Sequence, residues 1–327
     1  MLFSQIPRIS LLTEPTLLEK AAHFGDTIGH SSLWIKREDV MGLGMGGNKV
    51  RSLEFWLGEA LEKGCDIVLA TGLPPSNLCR LTAAACCRLN LDCEIIHNAA
   101  PSNTKPRRGD SRFLYDLMGV RQIYCGPVDE QARKAFVEER AQELKDQGRN
   151  PYILGDPVVG ALGYVAAAQE LLFQAEQKHI DLRHVFISAS AGPTEIGLLF
   201  GLRLMGGPDL HVHLVSVEYP AHTFWPIAQE IWQGLCQKLH VTPPLSLQYN
   251  THFYEEYLGP GYAKHSPETW LALRLLARTE GIFLDTTYNA KVFAGLTDLC
   301  QKGRLPTDEA AVIFHTGGVP TLLMREE

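Results

Sequence analysis

No two cysteines in this chain stand in a Cys-x-x-Cys spacing, so neither a zinc ribbon nor a dithiol redox centre is indicated. The eight that exist, Cys65, Cys79, Cys86, Cys87, Cys93, Cys125, Cys236 and Cys300, are scattered and read as reduced, mostly buried thiols. An unbroken apolar run of about 18 residues is also missing, and the start "MLFSQIPRIS" lacks both the basic end and the long apolar core of a secretion signal. We therefore expect a cytoplasmic protein without a membrane partner. Positive charge is the scarcer sign: 30 Lys and Arg stand against 37 Asp and Glu, and the net charge of −7 argues against nucleic acid as a bulk partner. There is no internal repeat, low-complexity tract or long linker. What is left is an ordinary globular composition, 45% hydrophobic and 20% charged over 327 residues, long enough for two lobes with a cleft between them.

The most conspicuous stretch is "GLGMGGNK", residues 42–49, after the charged run "WIKREDV". Gly42, Gly44 and Gly47 satisfy the letters of a dinucleotide-binding GxGxxG. That fingerprint needs an apolar strand directly before it, and "KRED" stands there instead. The nucleoside-triphosphate P-loop fails too, because Lys49 follows Asn48 and no Ser or Thr comes next.

Helical and short apolar segments alternate along the chain. "KVRSLEFWLGEALEKG", "SNLCRLTAAACCRLN", "VGALGYVAAAQELLFQAEQ" and "PTEIGLLFGLRLMG" carry helical periodicity, whereas "CDIVLATG", "DCEIIHNA", "HVFISAS", "HVHLVSVEY" and "AAVIFHTGG" read as buried strands. Such strand-then-helix order predicts an α/β fold with parallel sheets flanked by helices, with ligands outside the carboxyl ends of the strands.

Four loops at such ends can carry chemistry. Lys49 opens a helix behind glycines, where the positive end of the helix dipole disfavours an ammonium and makes the amine a better nucleophile. Ser76 and Asn77, in "TGLPPSNLCR", lie between a strand and a helix, where Ser and Asn are equally favoured helix caps. "SASAGPTEIG" offers backbone N–H groups and the hydroxyls of Ser190 and Thr194 at a helix start, a seat for one phosphate. "FHTGG" places Thr316 at the end of the last strand; its neighbour His315 has no second ligand at metal spacing and reads as a packed side chain. An amine, a single-phosphate cradle and a hydroxyl together match the aldehyde, phosphate and ring nitrogen of pyridoxal 5′-phosphate. No metal is expected.

The segment "WIKREDVMGLGMGGNKVRSLEF" resembles the lysine segment of the 1-aminocyclopropane-1-carboxylate deaminase and D-cysteine desulfhydrase family, which has the two-lobed fold type II of the tryptophan synthase β subunit. "PTLLEKA", "GALGYVAAAQEL", "GPGYAKHSPETWLALRLLARTEGIFLD", "TTYNAKVFAGL" and "FHTGG" are similar to its blocks, nearly from end to end. The resemblance implies that Lys49 bonds the cofactor aldehyde and shuttles protons. It implies that Ser76 meets the carboxylate or α-carbon of a small amino-acid substrate and that Asn77 lies against the cofactor ring. Tyr262 and Tyr288 would line the substrate pocket, Ser190, Ala191, Gly192 and Thr194 would hold the phosphate, and Thr316 would partner the ring nitrogen. A neutral hydroxyl at that nitrogen weakens the ring as an electron sink and favours α,β-elimination to a keto acid and ammonia. The resemblance also implies a homodimer, with a large cofactor-binding domain of residues 1–48 and 165–327 and a small inserted α/β domain of residues 49–164.

Three departures bear on activity. The substrate loop has Leu73, Pro74 and Pro75 where the family commonly has a glycine and a glutamine before Ser-Asn. The phosphate loop reads Ala189 to Thr194 with Pro193 in place of a glycine, and a proline offers no N–H. Asn289 follows Tyr288 where the ring-opening deaminases carry a Glu, which tilts the expectation toward D-cysteine desulfhydration. Ring-opening deamination, sulfite elimination from cysteate and β-replacement are the alternatives, and a catalytically degraded ligand-binding relative is a further one.

Overall fold

The computed structural model describes residues 2–101 and 108–324. In chain order the first half holds β1 (Leu17–Lys20), α1 (Ala22–Ile28), β2 (Leu33–Arg37), α2 (Lys49–Glu62), β3 (Ile67–Gly72), α3 (Asn77–Leu89), β4 (Asp92–His97), α4 (Arg112–Leu117), β5 (Arg121–Tyr124), α5 (Glu130–Asp146) and β6 (Pro151–Ile153). The second half holds α6 (Pro157–Gln177), β7 (Leu182–Ala189), α7 (Pro193–Met205), β8 (His211–Ser216), α8 (Ala221–Leu239), β9 (Thr251–Tyr254), α9 (Pro267–Glu280), α10 (Asn289–Gln301) and β10 (Ala310–His315).

The strands form two sheets, of order β1-β2-β10-β7-β8-β9 and β5-β4-β3-β6. Every pairing is parallel except β1 with β2, as expected where helices bridge consecutive strands. All strands of the smaller sheet come from residues 67–153, and those of the larger sheet from either side of that span. The sequence division at 164/165 cuts α6 within its length.

Side chains alternate across β10: Val312 and Phe314 join the core shared with α2, α6 and α7, while Ala311 and Ile313 join the core under α1, α9 and α10. The central layer is thus apolar on both faces, and each buried aromatic or branched residue contributes about 1.5–3 kcal/mol. Helix α6 is apolar and long enough to cross a membrane by length and composition, and 67% of its most apolar window is buried inside the fold. Its small residues serve packing: a Cβ on Gly163 would sit 2.4 Å from the Arg51 backbone, so α2 and α6 touch main chain to main chain. That contact holds α2, which begins at Lys49, against the centre of the molecule.

One face of the β7–β9 region carries histidines instead of aliphatics. The His184 and His213 rings lie within hydrogen-bond distance (Nδ1 to Nε2, 3.0 Å), His213 Nδ1 faces the Tyr254 hydroxyl at 2.9 Å, and His184 Nε2 faces Glu309 at 2.9 Å. One tautomer set satisfies the row: Tyr254 donates to His213, His213 to His184, and His184 to Glu309. His213 also stacks on Phe186 at 4.1 Å. Burial, with His252, His184 and His211 close by, drives the His213 pKa well below its ordinary value, and burial lowers His184 and His252 as well.

An acid sensitivity follows. Below about pH 6.5 the unfolded chain binds protons that these folded histidines refuse, so stability present at neutral pH falls as pH drops, by up to about 1.4 kcal/mol per pH unit for each such histidine. The urea midpoint should therefore fall between neutral pH and mildly acidic pH, and His213→Gln, which keeps a donor and an acceptor but does not titrate, should flatten that slope.

Candidate active site

The charged run ahead of the glycines is half strand, with Lys36 and Arg37 in β2, and half a single 3-10 turn, Glu38–Val40, so no apolar strand leads directly into the glycines. Lys36 lies in β2 and Glu38 directly after it, both with no exposed surface. They are tolerated because each finds partners. Arg51 Nε donates to Glu38 Oε2 at 2.6 Å, Arg51 Nη1 to Glu170 Oε2 at 3.0 Å, and Lys36 Nζ to Glu170 Oε1 at 2.5 Å. Tyr164 adds an O–H to Glu38 at 3.0 Å, and Lys36 also donates to the Thr16 carbonyl and Gln174. Burial alone would raise the Glu170 pKa, but Arg51 and Lys36 outweigh it and hold it at about 2. This clasp ties β2, α2 and α6 together and leaves Lys49 two residues before its guanidinium.

Between β2 and α2 the chain makes a tight loop. Gly46 has φ 71°, and a Cβ there would fall 2.1 Å from the Asp39 carbonyl oxygen. Across from it, a Cβ on Gly317 would fall 2.5 Å from the Gly47 Cα. Only glycine allows this approach of two main chains. It lets the Asn48 N–H donate to the Thr316 carbonyl at 2.9 Å, while Asn48 Nδ2 donates to Thr194 Oγ1 at 2.9 Å and Lys49 Nζ to the same hydroxyl at 3.3 Å. The loops after β2, β7 and β10 thus meet at Lys49.

Lys49 has no carboxylate within ion-pair distance among the described residues. Its pKa is lowered chiefly by burial, with Glu195 and Glu218 pulling the other way. Loss of water thus acts in the same direction as the helix end at which Lys49 stands.

Thr316 donates from its N–H and its hydroxyl to Asn289 Oδ1, at 2.8 and 3.1 Å. Asn289 Nδ2 in turn donates to Asp285 Oδ1 at 2.5 Å and to the Gly317 carbonyl at 2.8 Å. A glutamate in place of Asn289 would have no N–H for Asp285 and would meet it as a second carboxylate, so the amide suits its surroundings.

Tyr262 and Tyr288 share a hydrogen bond of 2.6 Å between their hydroxyls. Burial raises both pKa values, Tyr288 the more. The backbone that carries Tyr262 is held by Lys291, whose Nζ donates to the carbonyls of Leu258 (2.9 Å) and Gly261 (2.8 Å).

Ser76 caps α3, its Oγ accepting from the Cys79 N–H at 3.3 Å, and Asn77 Oδ1 accepts from Arg80 at 3.0 Å. Arg80 also donates to the carbonyls of Gly44 and Gly46, so α3 is fastened to the lysine loop. Pro74 is buried, its carbonyl accepting from the Tyr115 hydroxyl at 3.3 Å, whereas Pro75 is exposed.

In the loop after β7, Ser190 and Gly192 direct their N–H groups onto the Glu195 carboxylate, and the Ser190 hydroxyl bonds Glu218. Ala191 is exposed. Glu195, Glu218, Arg80, Asp285 and Lys291 were not singled out from sequence. Only Glu195 left a signal there, standing at the third helical position behind a capping glycine, where Glu reaches back to the loop N–H groups. A surface hollow of about 380 Å³, lined by Arg8, Thr13, Glu54 and Glu170, holds none of the loop residues.

The donor set fits pyridoxal phosphate: a half-buried amine without a carboxylate at ion-pair distance among the described residues for the aldehyde, N–H groups in the loop before α7, two of them now given to Glu195, for the phosphate, and the Thr316 hydroxyl at the end of β10 for the ring nitrogen. Residues 9–317 match the family described as pyridoxal-phosphate dependent enzyme, and the chain belongs to it. It is 35% identical to a D-cysteine desulfhydrase of Yersinia pestis (strain Pestoides F), over 98% of this chain and 96% of that one. A crystal structure of an ACC deaminase homologue is similar at 30% identity and TM-score 0.86, covering 98% of this chain and 94% of the other. The apo diaminopropionate ammonia lyase of Escherichia coli, 19% identical with TM-score 0.66 over 96% and 85%, shares the fold. The chain is thus an α/β enzyme of fold type II that depends on pyridoxal phosphate.

Replacing Arg51 by Met should destabilise the protein by about 3–5 kcal/mol, because Glu38 is left buried without its cation. Chemical denaturation measures this, and adding Glu38→Gln should restore part of the loss, since the neutral amide leaves no uncompensated charge.

Proposed function

We propose that the chain is a lyase that removes a β-substituent from a small amino acid, with D-cysteine as substrate: D-cysteine and water become pyruvate, ammonia and hydrogen sulfide. The observation that carries this reading is Lys49, a half-buried amine whose pKa is lowered by loss of water, 3.3 Å from the Thr194 hydroxyl and with no carboxylate at ion-pair distance among the described residues. When bound, pyridoxal phosphate supplies an electron sink for the carbanion formed at the substrate α-carbon.

The protein's own residues do the rest. Lys49 would hold the cofactor and, as a free amine, take the α-proton. Thr194 and Asn48 keep that amine in place through hydroxyl and amide contacts that add no charge. Ser76 and the N–H groups at the start of α3 are suited to the substrate carboxylate. The hydrogen-bonded hydroxyls of Tyr262 and Tyr288, uncharged near neutral pH, can give a proton to the departing sulfide. Thr316 would turn its hydroxyl proton from Asn289 Oδ1 to the ring nitrogen, its N–H keeping the bond to Asn289. Asn289 also supports elimination over ring opening, because no acid stands at that position. The 35% identity to a D-cysteine desulfhydrase over nearly the whole chain supports the substrate. We further infer from the resemblance a cytoplasmic homodimer with residues 49–164 as the smaller lobe.

A second reading is favoured by one observation: the phosphate loop already serves Glu195. A relative that binds cofactor without turning over any amino acid would look like this.

Purified protein given pyridoxal phosphate should turn yellow and release sulfide and pyruvate from D-cysteine, and Lys49→Ala should lose the colour and about 10²- to 10⁴-fold in rate. Assays of sulfide, sulfite, ammonia and keto acid with D- and L-cysteine, cysteate and 1-aminocyclopropane-1-carboxylate separate the alternatives. Bound colour with no product from any of them would select the second reading.

A further inference from the structure

The anion cradle after β7 is occupied by the protein itself. Glu195 turns its carboxylate back from the first turn of α7, and Oε1 accepts from the backbone N–H of Ser190 at 2.5 Å and of Gly192 at 3.0 Å. Pro193 has no N–H to add, and the Ser190 hydroxyl is engaged by Glu218. Glu195 is 3% exposed, so this is no solvated surface contact. Two of the donors read as the phosphate seat, the N–H groups of Ser190 and Gly192, are therefore already in use by Glu195.

Around the carboxylate stand Lys49, which attracts its charge, and Glu218 across the loop. Tyr219, Tyr262 and Tyr288 lie near Glu218, each with a raised pKa and thus uncharged near neutral pH. From α8, the groups facing Gly192 are the side chains of Ile227 and Ile231, which do not titrate. Burial raises the Glu195 pKa while the loop N–H groups and Lys49 oppose it. A phosphate arriving here would meet a carboxylate of its own sign at contact distance.

We propose that Glu195 is a built-in competitor for the cofactor phosphate, so that capture of pyridoxal phosphate requires its carboxylate to take up a proton from solvent and give up the Ser190 and Gly192 N–H groups. This rests on the cofactor reading of the site. The cradle then changes hands between an internal carboxylate and an external phosphate, and cofactor retention weakens as pH rises. A cofactor form without phosphate escapes that competition.

Equilibrium dialysis of the full chain with pyridoxal phosphate and with pyridoxal, from about pH 7 to about pH 9, where the phosphate charge no longer changes, tests this. In the wild-type protein the pyridoxal phosphate Kd should rise more steeply with pH than the pyridoxal Kd, by up to about tenfold per pH unit. Changes in Lys49 ionisation act on both ligands and cancel in the comparison. Glu195→Gln should bind pyridoxal phosphate about tenfold more tightly or better at the upper pH, over and above any change in pyridoxal affinity, which reports the effect of Glu195 on Lys49 alone. Glu195→Ala should melt lower without cofactor and gain more on adding pyridoxal phosphate than the wild type does. Equal pH slopes for the two ligands in the wild type, which needs no variant, would overturn the proposal, as would weaker pyridoxal phosphate binding by Glu195→Gln. Binding of neither ligand at any pH would overturn the cofactor reading, and this proposal with it.

Discussion

A guanidinium shut away from water between two carboxylates determines where the reactive amine stands. Arg51 can be 2% exposed only because Glu38 and Glu170 meet it with short, charge-assisted hydrogen bonds. Desolvating such a group costs several kcal/mol, and its Coulomb attraction recovers this only at good geometry. The register between β2, α2 and α6 is therefore narrow. Lys49 inherits that precision, since it precedes Arg51 by half a helical turn. The Gly163 contact with the Arg51 backbone reinforces it from the other side.

Around Lys49 the fold keeps charge low and hydroxyls close. Thr194 and Asn48 touch the amine or its neighbour, and the carboxylates of Glu195 and Glu218 act through space. An amine in such a setting is available as a nucleophile without an adjacent base. The same economy holds at Thr316, whose partner is the amide of Asn289, with Asp285 one step behind. Negative charge has collected instead at the loop after β7, where Glu195 accepts from the Ser190 and Gly192 N–H groups and the Ser190 hydroxyl bonds Glu218.

Much of this is legible in the letters because it depends on local patterns. The segments read as helices at Lys49, Ser76 and Pro193, and as strands ending near Gly72, Ala189 and His315, lie where those elements form. The expectation of reduced, scattered cysteines agrees with free thiols at all eight positions. The burial of Lys36 and Glu38 is not legible in "WIKRED", because whether an inward charge is tolerable depends on Arg51 and Glu170, residues distant in sequence. The short β1, β5, β6 and β9 and the helices α1, α4, α5, α8, α9 and α10 were not read individually from hydrophobic pattern.

The sequence by itself determined the alternation of strands and helices, the glycines that let Gly47 and Gly317 meet, and the presence of a lysine, hydroxyls and small residues at strand ends. Periodicity and backbone permissiveness are properties of neighbouring residues, so they are visible without coordinates. Only the tertiary structure decided which groups face one another: that Thr194 rather than a carboxylate meets Lys49, that Asn289 joins Thr316 to Asp285, and that Glu195 fills the anion cradle. Those pairings are set by long-range packing and by the loss of water on burial, and neither is written in any short stretch of the chain.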